Sequence, residues 1–104
     1  MDNANETIPR SRMGIEGYNY QAHKEMEKGN LIDSMKLFNR VVDISEHHLE
    51  NAPYSSPTDV ADAHRKAASV KNEIIAKLNG ANNVLEMKYT TESVNHIIRA
   101  TQLA

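Results

Sequence analysis

The sequence predicts an all-α protein, a small bundle of three to four helices, on three observations. Apolar residues recur at steps of three and four through most of the 104 residues, the periodicity that gathers side chains on one helix face. The runs are broken at Gly29-Asn30, Asn51-Ala52-Pro53 and Asn79-Gly80, all of which carry turn chemistry. Alternation of the strand type is confined to one short segment, 84–89, too little for a sheet. Helices are expected near 13–28, 31–50, 57–79 and 91–103, preceded by a flexible N-terminal arm over 1–12 and forming a single domain over 13–104.

Met1 to Arg12 is polar, aperiodic and contains Pro9, so little apolar burial offsets the entropy of ordering it. The first helix places Ile15, Tyr18, Ala22 and Met26 on one face, and Gly29, which takes positive φ without steric cost, ends it. Asn30 is the expected cap of the second helix, with Asp33 at the positive end of its dipole. Leu31, Met35, Phe38, Val41, Val42 and Leu49 give that helix the best apolar stripe of the chain. After a loop over 50–57 with two prolines, Ser56-Pro57-Thr58-Asp59 supplies a serine cap, a proline in the first turn and a capping-box carboxylate.

The third helix carries Val60, Ala63, Ala67, Val70, Ile74 and Leu78, with alanines that invite close packing, and ends at Asn79-Gly80. Leu85, Met87 and Tyr89 then alternate with Glu86 and Lys88, a pattern that fits a short strand or a helical turn. Thr90 or Thr91 is the expected cap of a last helix with an apolar strip of Val94, Ile97, Ile98 and Thr101. The third helix is expected to pack on the first two. The last should close the remaining apolar face, burying Ile97 and Ile98, or dock on another subunit.

Composition excludes several classes. A net charge of -2 provides no global positive field to draw the chain onto nucleic acid or an anionic membrane. With no cysteine there is no disulfide, thiolate nucleophile or cysteine metal site, which points to a cytoplasmic protein. The N-terminus lacks the apolar run of a secretory signal, and no segment approaches the roughly 20 apolar residues of a membrane span. Hydrophobic residues at 39% and charged residues at 25% are ample for a folded domain, but a domain this short gains from a partner subunit, so a homo-oligomer is expected.

From Tyr18 to about Glu46 the chain resembles a single tetratricopeptide hairpin. Aromatic Tyr18, small Ala22, the Gly29-Asn30 turn, Leu31, small Ser34, aromatic Phe38 and aliphatic Val41 fall at that family's spacing, while Gln21 and Glu25 replace its usual leucine and tyrosine. Small residues at such positions let two helix backbones approach while large ones fill the gaps between turns. The sequence is also similar to the three-helix domains that bind microtubule-associated and trafficking partners. Both resemblances imply protein or peptide binding by a helical surface and neither implies chemistry.

The function expected is therefore a non-enzymatic protein–protein interaction module, such as a small adaptor, assembly factor or chaperone, without a cofactor. The candidate partner-binding residues are Tyr18, Asn19, His23 and Met26 on the first helix and Ile97 and Ile98 on the last. Tyr18, Met26, Met35 and Phe38 equally suit a core. A second reading is a nucleic-acid-binding regulator, with Arg10 and Arg12 in a basic arm and Arg65, Lys66 and Lys71 on the third helix. Asp62 and Glu73 dilute that stripe, and no aromatics interleave it for single strands. A third reading is a metal-dependent enzyme: Asp43 and His47, four apart on a helix with Glu50 nearby, present oxygen and nitrogen donors on one side. His23, His64 and His96 are isolated in sequence, and none of the serine-elbow, zinc-protease or phosphate-loop motifs occurs.

Overall fold

The computed structural model describes residues 10–51 and 55–103, and the first nine residues of the expected arm, with 52–54 of the loop, lie outside them. The described residues form four helices and no strand: α1 (Arg10–Glu27), α2 (Leu31–Asn51), α3 (Pro57–Leu78) and α4 (Asn83–Leu103). Helix α1 begins three residues earlier than expected, so Arg10 and Arg12 are helical rather than part of a flexible arm. A proline just before a helix start costs little, since the first turn leaves N–H groups unpaired in any case.

The turn between α1 and α2 is a Schellman closure. Asn30 N–H donates to Glu25 C=O at 2.9 Å and Gly29 N–H to Met26 C=O at 3.0 Å, which requires the left-handed backbone that Gly29 adopts at φ 86°. Asn30 takes the cap position, its carbonyl accepting from Ser34 N–H, but its side chain does not cap the first turn as expected: the amide reaches back to donate to Glu25 Oε1 at 2.8 Å. The two helices cross closely where small residues allow it. Ala22 and Ser34 are both fully buried, and Ser34 Oγ donates to Ala22 C=O at 2.8 Å.

Helix α3 starts as the sequence predicts. Asp59 N–H donates to Ser56 Oγ at 3.1 Å and Ser56 N–H to Asp59 Oδ2 at 3.4 Å, a complete capping box with Pro57 in the first turn. It ends on Asn79 in the left-handed region (φ 47°) followed by Gly80 (φ 84°).

The segment 84–89 is helical, which removes both the strand alternative and the expected cap at Thr90 or Thr91. Asn82 caps α4 instead: its Oδ1 accepts from Leu85 N–H at 3.0 Å, and its carbonyl accepts from Glu86 N–H at 2.9 Å. Glu86 also accepts from Gly80 N–H at 2.6 Å, tying the first turn of α4 to the end of α3. The alternation that suggested a strand has a helical meaning, because Leu85 and Tyr89 face inward four residues apart while Met87 faces solvent.

Each helix packs on its neighbour in sequence, α1 on α2, α2 on α3 and α3 on α4. The result is a flat array with Cα extents of 46 × 34 × 18 Å. The core runs along its middle and comprises Ala22, Leu31, Met35, Phe38, Val41, Val42, Ala63, Ala67, Val70, Ile74 and Tyr89, with Tyr18 and Met26 packed at its edge. Helix α4 lies on α3 rather than closing the stripes of α1 and α2. Its inward face is Leu85, Tyr89, Ser93, His96 and Ala100, so Ile97 and Ile98 remain about half exposed, contrary to the expected burial.

Candidate functional site

Two features of α4 are candidates for function: a chain of polar side chains beneath it and an apolar face above it. The polar chain begins on α2, where Glu46 accepts a bidentate pair of hydrogen bonds from Arg99 of α4, Nε at 2.7 Å and Nη2 at 2.8 Å. Glu46 Oε2 also lies 2.7 Å from Nε2 of His64 on α3. His64 Nδ1 is 2.8 Å from Nδ1 of His96 on α4, and His96 Nε2 is 2.7 Å from Nζ of Lys71 on α3. Lys71 closes the chain against Glu92 Oε1 at 3.2 Å. Beside it, Ser93 Oγ donates to Asn72 Oδ1 at 2.9 Å.

Donor and acceptor counting fixes the protons. Lys71 ammonium is donor-only, so it donates to His96 Nε2 and leaves the proton of a neutral His96 on Nδ1. That proton is donated to His64 Nδ1, and a neutral His64 then carries its own on Nε2 and donates it to Glu46. Every bond in the row is satisfied with both rings neutral, and protonating either ring would place two donors face to face.

The charges follow the same logic. Arg99, through its hydrogen bonds, holds the Glu46 carboxyl down to about 2, and Glu46 in turn raises Arg99 above its ordinary value. Burial, and then the Lys71 charge, pull His96 down to about 4. Burial also lowers Lys71, which is only 2% exposed, against the opposing hydrogen bond it donates to Glu92. The open groove of about 490 Å³ between α3 and α4 is lined by Arg65, Ala68, Ser69, Asn72, Glu73, Ala76 and Ile97, and so does not reach His64, His96 or Lys71. The row is a polar strut that holds α4 in one rotation on α2 and α3.

That rotation directs an apolar face outward. Of the seven large apolar side chains exposed among the described residues, five belong to α4: Val84 (82%), Met87 (71%), Val94 (51%), Ile97 (46%) and Ile98 (51%). Val84, Met87, Thr91, Val94, Ile98 and Thr101 follow one another at 3, 4, 3, 4 and 3 residues, the spacing of a heptad seam.

The residues expected from sequence are distributed unevenly over these features. Tyr18 and Met26 are partly buried against the core, Tyr18 beneath the Arg40 guanidinium at 5.4 Å; Asn19 is also partly buried. His23 is exposed and stands edge-on to Phe38 at 5.2 Å. Ile97 and Ile98 lie on or beside the apolar seam. Of the proposed basic stripe, Lys71 faces inward and is held in the strut, whereas Arg65 is exposed and paired with Asp62 at 2.7 Å. Arg10 and Arg12 sit at the start of α1, at the far side of the array from α4. Asp43 and His47 are both exposed, His47 meeting Asn51 at 3.2 Å. Among the described residues no group of three or more histidines and carboxylates is placed to hold a metal ion.

Sequence reasoning missed the His64–His96 pair and its partners. A signal was present: His64 and Lys71 fall on the apolar period of α3, His64 four after Val60 and Lys71 four after Ala67. Among the described residues no helix is long and apolar enough to cross a membrane. Comparison with protein-family models, curated proteins and solved structures finds no match to this chain.

Proposed function

We propose that this chain is a non-enzymatic helical interaction module, in the manner of a small adaptor, assembly factor or chaperone, and that its contact surface is the outward face of α4. One observation carries this reading: the exposed large apolar side chains gather on a single helix whose opposite face is tied down by six polar side chains. Scattered apolar residues on a surface need no explanation, whereas an ordered strip of them on a rigid element is what helix-in-groove recognition uses. The strut supports it further, since a helix fixed in rotation presents its seam without a further ordering cost on binding.

The residues assigned to contact are Val84, Met87, Val94, Ile97 and Ile98. Tyr18 and Met26 are assigned to the core edge instead. The test is affinity capture from the native cell with the wild-type chain and with the double variant Val94→Glu, Ile98→Glu, followed by reconstitution with the purified captured protein. A protein, including another copy of this chain, that binds the wild type and is lost with the double variant supports the reading. Equal retention by both would overturn it.

A further inference from the structure

We infer that the Asn79-Gly80 bond, in the turn between α3 and α4, is a modification site: Asn79 is a deamidation site that the folded turn holds shut and that reacts only when the start of α4 comes away from the end of α3. The chemistry needs two neighbouring residues and water. The backbone nitrogen after an asparagine gives up its proton to solvent base and attacks the side-chain carbonyl carbon. The side-chain amide then leaves as ammonia, and a five-membered cyclic imide remains. Water opens the imide at one carbonyl or the other, giving aspartate or its isomer in which the backbone runs through the side chain. A following glycine makes the attack easiest, because no Cβ crowds the nitrogen. Asparagine is followed by glycine once in the sequence, at Asn79-Gly80, and both residues are exposed to the water the reaction consumes.

The turn keeps the reacting atoms apart. Asn79 caps α3 in the left-handed region, at φ 47° and ψ 46°, with its N–H donating to Ile75 C=O at 3.2 Å. At that ψ the Gly80 nitrogen lies nearly trans to the Asn79 Cβ about the Cα–C bond, so no side-chain rotamer brings the side-chain carbonyl carbon within bonding reach. Ring closure needs the two nearly eclipsed, which means turning that bond by almost half a revolution. The rotation carries Gly80 with it. It breaks the hydrogen bond from Gly80 N–H to Glu86 Oε2 at 2.6 Å and the one from Ala81 N–H to Leu78 C=O at 2.8 Å. Glu86 belongs to the first turn of α4, so the lock spans the two helices.

Glu86 is also a chemical brake. A carboxylate is far too weak a base to take an amide proton, but by accepting that N–H it favours the protonated nitrogen and repels the anion that would attack. The folded rate is therefore the rate of the open chain multiplied by the fraction of time the turn is open. The product works against the closure that delayed it. It sets a carboxylate at the C-terminal end of α3, where the helix dipole is already negative, close to the Glu86 carboxylate. The isomer also adds a methylene to the backbone inside the cap.

The test is to incubate the whole chain at one mildly alkaline pH, folded in buffer and unfolded in guanidinium chloride, following deamidation by intact mass and locating it by peptide mapping. In the unfolded chain Asn79 should react first, and in the folded chain it should react about tenfold more slowly or less. Glu86→Ala, checked for folding by circular dichroism, should raise the folded rate several-fold and leave the unfolded rate unchanged. Glu86→Gln, which keeps an acceptor without the charge, should fall between and carries the comparison if the alanine variant does not fold. The deamidated chain, separated by ion exchange, should melt below the unmodified one. First reaction at another asparagine in the unfolded chain would overturn the site, and equal folded and unfolded rates would overturn the lock. A folded Glu86 variant no faster than the wild type would overturn the coupling to α4, and an unchanged melting temperature would overturn the effect of the product on the closure.

Discussion

His64 and His96 meet ring to ring across the α3–α4 interface, Nδ1 to Nδ1 at 2.8 Å, with Glu46 at one end of the pair and Lys71 at the other. Four polar side chains from three helices thus form one directional row, and its direction is set by the lysine, which has no lone pair to offer. The row is complete with the His96 ring neutral, and a proton added to that ring would face the Lys71 ammonium.

Acid should therefore loosen the fold in two stages. His96 sits at about 4 in the folded chain against an ordinary 6.5, so between those values the unfolded chain binds the extra proton. Its stabilisation is complete above about pH 6.5 and is lost as pH falls toward 4, a loss on the order of 1–2 kcal/mol once solvent screening of the partly exposed ring is allowed for. Glu46, at about 2 against 4.5, adds a second loss below pH 4.5 with the same sign. Thermal melts at falling pH should show the melting temperature level near neutrality and decreasing below about pH 6.5. Lys71→Met removes the neighbouring charge but leaves the ring buried, so the His96 titration followed by NMR should move up only part of the way to its ordinary value. A melting temperature that is flat from neutral pH to about pH 4 would show that His96 titrates without cost to the fold.

The carboxylate of Glu46 is the common acceptor for α3 and α4, and its loss should be felt more than that of either donor. Glu46→Ala leaves buried His64 Nε2–H without its acceptor and Arg99 without its partner, at a cost of about 2–4 kcal/mol. Arg99→Ala removes a partly exposed donor and leaves the His64 bond standing, so about 1 kcal/mol is expected. Denaturant unfolding of the two variants and of the double variant gives the coupling, which should be well below additive because both remove the same pair. Equal effects from the two single variants would mean that His64 finds another acceptor.

How much of this was legible in the sequence depends on the range of the interaction that decides each feature. The Ser56–Asp59 box, the Gly29 turn and the Asn79-Gly80 ending are fixed by residues within a few positions of one another, and the structure forms all three. The strut joins residues 18, 25, 32 and 53 apart, and no local rule brings Glu46 to Arg99 or His64 to His96. The α4 seam was lost for a different reason. Starting the last helix at Thr91 cut the heptad at its centre, leaving Val94, Ile97 and Ile98 as a short strip that reads as an inward face. Once Asn82 is recognised as the cap, Val84 and Met87 join the same period and a second, inward face of Leu85, Tyr89, Ser93, His96 and Ala100 appears beside it. A helix with two such faces cannot bury both against α3.

The close crossing of α1 and α2 rests on two small residues, and it yields the sharpest contrast between size and polarity. Ala22 has no exposed surface, and the Ser34 hydroxyl opposite it donates to its carbonyl at 2.8 Å, so the two backbones are held at a separation that leaves no space for a larger side chain. Ser34→Ala keeps the small volume and removes one hydrogen bond, and should cost about 1 kcal/mol. Ala22→Leu adds three carbons at a site with no void and must push α1 off α2, at about 1–3 kcal/mol or more. At roughly 4–8 °C per kcal/mol for a domain of this size, the leucine variant should melt roughly 4–24 °C below the wild type and the alanine variant roughly 4–8 °C below it, measured side by side by calorimetry. Neither Ala22 nor Ser34 bonds to a member of the strut, so neither substitution should change the acid profile set by His96. If Ala22→Leu melted as the wild type does, α1 would not be packed on α2 at this crossing.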